Sequence, residues 1–248
     1  LGWQPDKWAV VDNTIDAKLV YQALDDAKNR SMFIGIAEPA GGGKSAGIDA
    51  FRAANEMEVF YISCREWSRR EMMIQLLLML GVDPKPGYPI QMLLEKVIDF
   101  FKVRTNKPLL ILDQANSLQP SVLTFLIFLY NECEDNLGVV IAGTEELEQK
   151  IKRGVKRNYR GFDELDSRFG RSYVRLFGAP LNDVKKICKA NGISDENIVK
   201  RIFDRCNPVM VEVPDEAEGK IRKVMVVKDK RLIKRAVQAE LLLRKETV

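Results

Sequence analysis

The segment EPAGGGKS, Glu38 to Ser45, sets three consecutive glycines before a lysine and a hydroxyl. These are the residue types of a phosphate-binding loop. Backbone N–H groups of Ala40, Gly41, Gly42, Gly43 and Lys44 can surround phosphate oxygens, the Lys44 ammonium can reach the outer phosphates, and the Ser45 hydroxyl can hold magnesium. Glu38 stands where such a loop ordinarily opens with glycine. That position turns the chain out of its strand and gives no ligand to phosphate, so the departure narrows the backbone angles without removing chemistry. The run PLLILDQAN ends an apolar stretch on Asp113, from which a carboxylate orients the water shell of Mg2+. Gln114 follows it. An amide positions a water but does not take its proton, so nucleotide binding is expected to be intact and hydrolysis to be slow or to depend on a residue from elsewhere. In VVIAGTEEL, Thr144 ends a strand where it can meet the γ-phosphate or the attacking water. In DELDSRFGRSYVRLF, Arg168, with Arg171 in reserve, can face a neighbouring subunit and neutralise charge on a γ-phosphate.

Positioning these groups requires strands that end together. SMFIGIA (31–37) is a short apolar run ahead of the glycine loop, and SAGIDAFRAAN after it reads as helix; strand, loop, helix is the context that separates such a loop from a chance glycine cluster. Further strands fit EVFYIS (58–63), PLLILD (108–113), LGVVIAG (137–143) and RSYVRLF (171–177). Helical patterns lie at about 16–29, 66–80, 90–103, 120–133 and 145–152. Alternation of this kind predicts an α/β fold with a five-stranded parallel sheet flanked by helices. After Pro180 the pattern changes. LNDVKKICKANG and SDENIVKRIFDRC read as two short helices, the second begun by a Ser194 cap; VMVEVPDEAEGKIRKVMVV reads as a β-hairpin around an acidic turn. A final helix from Asp229 carries Leu232, Val237, Leu241 and Leu242 toward a core. The organisation expected is an N-terminal extension and helix (1–30), a nucleotide-binding core (31–179) and a small, mainly helical lid with a basic tail (180–248).

Composition narrows the chemistry. The 248 residues are 46% apolar and 30% charged, enough to bury a core, and no apolar run reaches the ~18 residues of a membrane span. No membrane partner and a cytoplasmic setting are expected. The opening LGWQPDKWAV has neither a signal-peptide core nor a starting methionine, which leaves room for further chain before residue 1. Cys64, Cys133, Cys188 and Cys206 show no C-x-x-C spacing, so packed, reduced thiols are expected. With no histidine in the chain, Ser-His-Asp and Cys-His nucleophilic sites and histidine metal sites are excluded. Net charge is only +4, yet residues 219–248 hold ten basic against three acidic residues, a footprint for phosphate backbones or an acidic partner.

Taken in order, EPAGGGKS, LLILDQAN, IAGTEEL and LDSRFGRSYVRLFGAPL resemble the AAA+ ATPases, and within them the transposition regulators of the MuB and TnsC type, over about residues 30–181. The resemblance implies a P-loop AAA+ core that binds ATP and Mg2+ and self-associates into a filament or ring on duplex DNA, recruiting or stimulating a transposase. Gln114 falls where such ATPases commonly have a glutamate. The family's DNA contacts come from basic residues after the second strand, which here are Arg65, Arg69 and Arg70 in SCREWSRREMM; Lys85 in KPGYP is a further candidate. Phosphate contacts of this kind give sequence-tolerant, salt-sensitive binding. The same residues also suit the solvated start of a helix, and Trp67 among them reads as a packing anchor. For the lid arginine that AAA+ proteins direct at nucleotide, Arg231 and Arg235 are the candidates. The alternatives are a helicase-loader or secretion-type AAA+ ATPase and a nucleotide-gated scaffold without significant turnover.

Overall fold

The computed structural model describes residues 8–215 and 220–246; the hairpin turn expected at 216–219 and the side chains of Lys220 and Lys245 in the basic run lie outside the described residues. In chain order the elements are α1 (Ile15–Asn29), β1 (Phe33–Ala37), α2 (Lys44–Ala54), β2 (Val59–Ser63), α3 (Arg69–Met79), α4 (Ile90–Lys102), β3 (Leu109–Asp113), α5 (Pro120–Leu123), α6 (Phe125–Cys133), β4 (Gly138–Gly143), α7 (Glu145–Lys156), α8 (Phe162–Arg168) and β5 (Tyr173–Val174). There follow β6 (Ala179–Pro180), α9 (Leu181–Ala190), α10 (Glu196–Arg205), β7 (Val209–Asp215), β8 (Lys220–Val227) and α11 (Lys230–Glu246). The chain forms two compact units that interleave along the sequence. Tyr21–Pro39 and Phe51–Arg175 make a sheet unit; Ala40–Ala50 and Leu176–Val248, with the described part of Leu1–Val20, make the other.

The sheet unit has five strands in the order β2-β3-β4-β1-β5, every ladder parallel. Its inner strands β3 and β4 are buried at every position, which is why LLILD and GVVIAG read as unbroken apolar runs without the alternation of a one-sided sheet. Register aligns Ala37 with Gly143 and Ser63 with Asp113, so the carboxyl ends of the strands finish at nearly one level. Ligand loops of parallel sheets gather at that edge. Phe33, Leu77, Phe101, Leu126 and Leu147 belong to the core beneath it, and Trp67 packs against that core.

Two elements here are shorter than their sequence patterns. The run 171–177 pairs only over Tyr173–Val174. Helix 120–133 divides at Thr124, whose hydroxyl donates back to the Ser121 carbonyl at 3.1 Å, a bond that competes with regular helix geometry.

The second unit carries α9, α10 and α11 on a small antiparallel sheet in the order β6-β8-β7. The β7–β8 pairing is the expected hairpin; β6, two residues long, adds a strand with no sequence pattern to announce it. Helix α10 is capped by Asp195, not Ser194: its carboxylate accepts the Ile198 amide at 3.0 Å. On α11, Ile233 and Val237 are fully buried while Leu242 is 54% exposed, so the expected Leu242 core position is corrected. Helical phase explains it, since 233, 237 and 241 share a face and 242 is turned ~100° away from it.

Candidate nucleotide site

In the second unit, the glycine loop runs directly into α2, which starts at Lys44, with Ser45 in its first turn. Gly41 and Gly43 adopt φ of +87° and +97°, left-handed values that side-chain-bearing residues rarely take. Left-handed glycines alternating with other conformations turn successive N–H groups to one side, forming a concave nest for an anion at a helix N-terminus. The glycines also admit close neighbours. A Cβ on Gly41 would strike the Asp229 carboxylate, and one on Gly43 would lie 2.7 Å from Lys230 Nζ. Behind the loop, Gly47 lets α2 approach α1, where an added Cβ would meet Val20 at 2.6 Å.

Lys230, the first residue of α11, is bonded to the loop twice. Its backbone N–H donates to the Gly41 carbonyl at 3.0 Å, and its ammonium donates to the Gly42 carbonyl at 2.5 Å. The same ammonium pairs with the fully buried Asp16 at 2.5 Å, and Asp16 accepts the amides of Phe177 and Gly178 at 2.8 and 2.9 Å. Sequence reasoning missed both residues: Asp16 looked like an ordinary acid in a first helical turn, and Lys230 was one cation among ten. Arg231 and Arg235, the lid candidates, are exposed.

In the sheet unit, Asp113 is buried at the end of β3. Its Oδ1 accepts the Gln114 amide at 2.8 Å and its Oδ2 accepts the Tyr61 hydroxyl at 3.1 Å. Gln114 is exposed and left-handed, φ 55°, which costs a non-glycine residue about 1 kcal/mol. Thr144 begins α7 with no side-chain cap bond, and its amide donates to Asn116 Oδ1 at 3.2 Å. Asn116 thereby ties the ends of β3 and β4 together, and Lys150 holds the carbonyls of Asn116 and Leu118 at 2.5 and 2.9 Å. The structure thus brings Asp113, Gln114, Asn116 and Thr144 to one sheet edge. Tyr61 and Asn116 carried no sequence signal of their own. Glu38, the departure from the glycine pattern, is buried, and its amide donates to the Gly143 carbonyl at 3.2 Å.

The arginines divide. The Arg168 guanidinium lies 4.2 Å from the centre of the Tyr130 ring and donates to Asn131 Oδ1 at 3.0 Å. Arg171, left-handed at φ 56° and half-exposed, pairs with Asp163 at 3.0 Å. Among the candidate DNA contacts, Arg65 is exposed, Arg69 donates to the Ser121 carbonyl and Arg70 to the Tyr88 carbonyl, each at 2.7 Å. Arg70 therefore fastens the start of α3 to the loop carrying the exposed Lys85.

A family model described as AAA domain matches residues 28–151, half of the chain, spanning the glycine loop, Asp113 and Thr144. The chain belongs to the AAA domain family. AAA domains as a class bind ATP with Mg2+ and hydrolyse it. Donor chemistry suited to that pair is present in each unit by itself: one has an amide-lined loop for phosphates and the Ser45 hydroxyl, the other the Asp113 carboxylate, hard oxygens of the kind magnesium takes alongside phosphate and water. Solved structures similar to this AAA chain include Cdc6p from Pyrobaculum aerophilum (14% identity, TM-score 0.56, covering 82% of this chain and 63% of that one). ORC2 of Aeropyrum pernix, an ADPNP-ADP complex, has 13% identity and TM-score 0.52 over 95% of this chain and 69% of that one. The replication initiator DnaA bound to AMPPCP and single-stranded DNA has 16% identity and TM-score 0.56 over 96% and 66%. At such identities the likeness is one of fold, and this chain spans about two thirds of each structure's length. No curated protein sequence matches the chain. Among the described residues, no helix is long and apolar enough to cross a membrane.

Proposed function

We propose that this AAA protein is an ATP-dependent, DNA-binding regulator of transposition, which assembles into a filament or ring on duplex target DNA and recruits or stimulates a transposase. The observation that carries the nucleotide half is the glycine loop itself: two left-handed glycines leading straight into α2 at Lys44. In this reading Ala40 to Lys44 hold the phosphates and Ser45 and Asp113 serve magnesium. Gln114 and Thr144 position water, and hydrolysis is slow because the residue that follows Asp113 is the amide Gln114 and not a carboxylate. Arg168, with Arg171 in reserve, is the arginine offered to a neighbouring subunit; each is held within its own chain, Arg168 by Tyr130 and Asn131 and Arg171 by Asp163, and would have to exchange those partners for phosphate. Arg65, Arg69, Arg70 and Lys85 would meet phosphate backbones, Arg70 being bonded to the Tyr88 carbonyl of the loop that carries Lys85. Four buried thiols agree with a cytoplasmic setting.

A second reading, an initiator or helicase loader, is favoured by the fold likeness to Cdc6p, ORC2 and DnaA, the last of which was captured with AMPPCP and single-stranded DNA. Negative-stain imaging with random-sequence duplex DNA, with and without ATP and Mg2+, separates the two. Filaments or rings on duplex DNA that require ATP and vanish in Lys44→Ala are the expected result. A protein that binds ATP yet ignores duplex DNA would sink the transposition reading and leave the loader or the nucleotide-gated scaffold.

A further inference from the structure

We infer that Lys230 is a positioning residue for the phosphate loop: by gripping two consecutive loop carbonyls it aims the amides of Gly42 and Gly43 into the anion nest. The inference rests on the nucleotide reading of that loop. Each peptide plane here is trans, and in a trans peptide the C=O and N–H point in opposite directions. The Gly41 carbonyl shares its plane with the Gly42 N–H, and the Gly42 carbonyl shares its plane with the Gly43 N–H. Lys230 holds the first carbonyl with its backbone N–H at 3.0 Å and the second with its ammonium at 2.5 Å. Both amides are thereby turned to the opposite side, away from α11. Glycine is the residue least able to hold a peptide plane by itself, so three in a row need an external restraint to remain pre-organised.

The restraint is itself fixed. Lys230 is 15% exposed and its ammonium pairs with Asp16, 0% exposed, which also accepts the amides of Phe177 and Gly178. Asp16 therefore anchors the ammonium to the segment entering the second unit's sheet, and Gly43 lacks the side chain that would push the ammonium away. This arrangement differs from a cation aimed at a phosphate: the ammonium is spent on a peptide oxygen and a carboxylate. The distinction has a consequence for ligands. A group that orients amides affects every nucleotide whose phosphates enter the nest, whereas a group touching the γ-phosphate affects ATP alone.

The test compares fluorescent-analogue displacement by ADP and by ATP in the wild type, in Lys230→Met, and in Lys230→Met combined with Asp16→Asn. The double variant removes both members of a buried ion pair, a change proteins commonly tolerate better than stranding one charge. Loss of affinity for ADP and ATP in equal proportion, roughly ten- to hundredfold, in a variant with the wild-type circular dichroism spectrum is the expected result. Weakening of ATP alone would make Lys230 a γ-phosphate contact and overturn the inference, as would unchanged affinities. Failure of both variants to fold would overturn it too, by giving Lys230 a purely structural role. If the wild type binds neither nucleotide, the nucleotide reading falls first and the inference with it; if the wild type binds and Lys44→Ala does not, any failure belongs to Lys230 alone.

Discussion

The Asp113 carboxylate accepts from two donors, the Gln114 amide and the Tyr61 hydroxyl, and Gln114 itself sits in a left-handed turn. The turn leaves the Gln114 side chain exposed at the sheet edge that Thr144 shares. An amide there can orient water through its oxygen and nitrogen but takes no proton, so in the proposed reading turnover is expected to be limited at the step where water must become a nucleophile. Gln114→Glu supplies that acceptor without altering size. ATP turnover should rise by about tenfold or more while nucleotide affinity stays within about threefold, the signature of an interaction made in the transition state. A steady-state phosphate-release assay with a parallel nucleotide titration measures both. An unchanged rate would show that another residue positions the water.

Helix α11 shows how a sequence pattern can be right about an element and wrong about its face. Its leucine-rich end, AELLLRK, favours no single leucine, whereas the structure selects by phase: Ile233 and Val237 are fully buried, Leu241 packs beside them and Leu242 and Leu243 are exposed. Glu240 is buried on the same side and is held by Arg201 and Arg205 of α10, at 3.2 and 3.5 Å. Ile233→Ala should therefore cost about 2–5 kcal/mol, and Leu242→Ser should change stability by less than about 0.5 kcal/mol, as read from urea midpoints. Equal costs would mean the helix sits in another phase. The five strands and the loop between β1 and α2 were legible because buried parallel strands need apolar runs and phosphate chemistry needs glycine, lysine and a hydroxyl at fixed spacing. Other features had signals that went unread: Ser68 and Glu71, three residues apart, form a capping box that starts α3. Asp16 and Lys230 had none, because a pairing 214 residues apart is set by tertiary packing and leaves no local period to detect.

At the scale of the whole chain, the two units alternate along the sequence, the backbone passing from one to the other at residues 20/21, 39/40, 50/51 and 175/176. The first and third of these passages fall inside the continuous helices α1 and α2. A helix gains its stability cooperatively, so unravelling either unit takes hydrogen-bonded turns from a helix that the other also uses. The two units are therefore expected to unfold in one transition. The cysteines report on this without any added probe, since Cys64 and Cys133 lie in the sheet unit and Cys188 and Cys206 in the other, all four buried and free. Burial pushes Cys64 up to about 12, with the nearby Asp113 charge adding to it, and Cys133 and Cys188 to about 11, so each thiolate is scarce in the folded protein. At pH 8 a thiol of pKa 11 is ionised to only about one part in a thousand, and labelling of the native protein should be slow and should quicken as pH rises toward 11. Across a urea series at pH 8, followed by mass spectrometry of labelled peptides, all four cysteines should become reactive at the same urea midpoint. If Cys188 and Cys206 open at lower urea than Cys64 and Cys133, the units separate despite their shared helices, and the coupling argued from α1 and α2 fails.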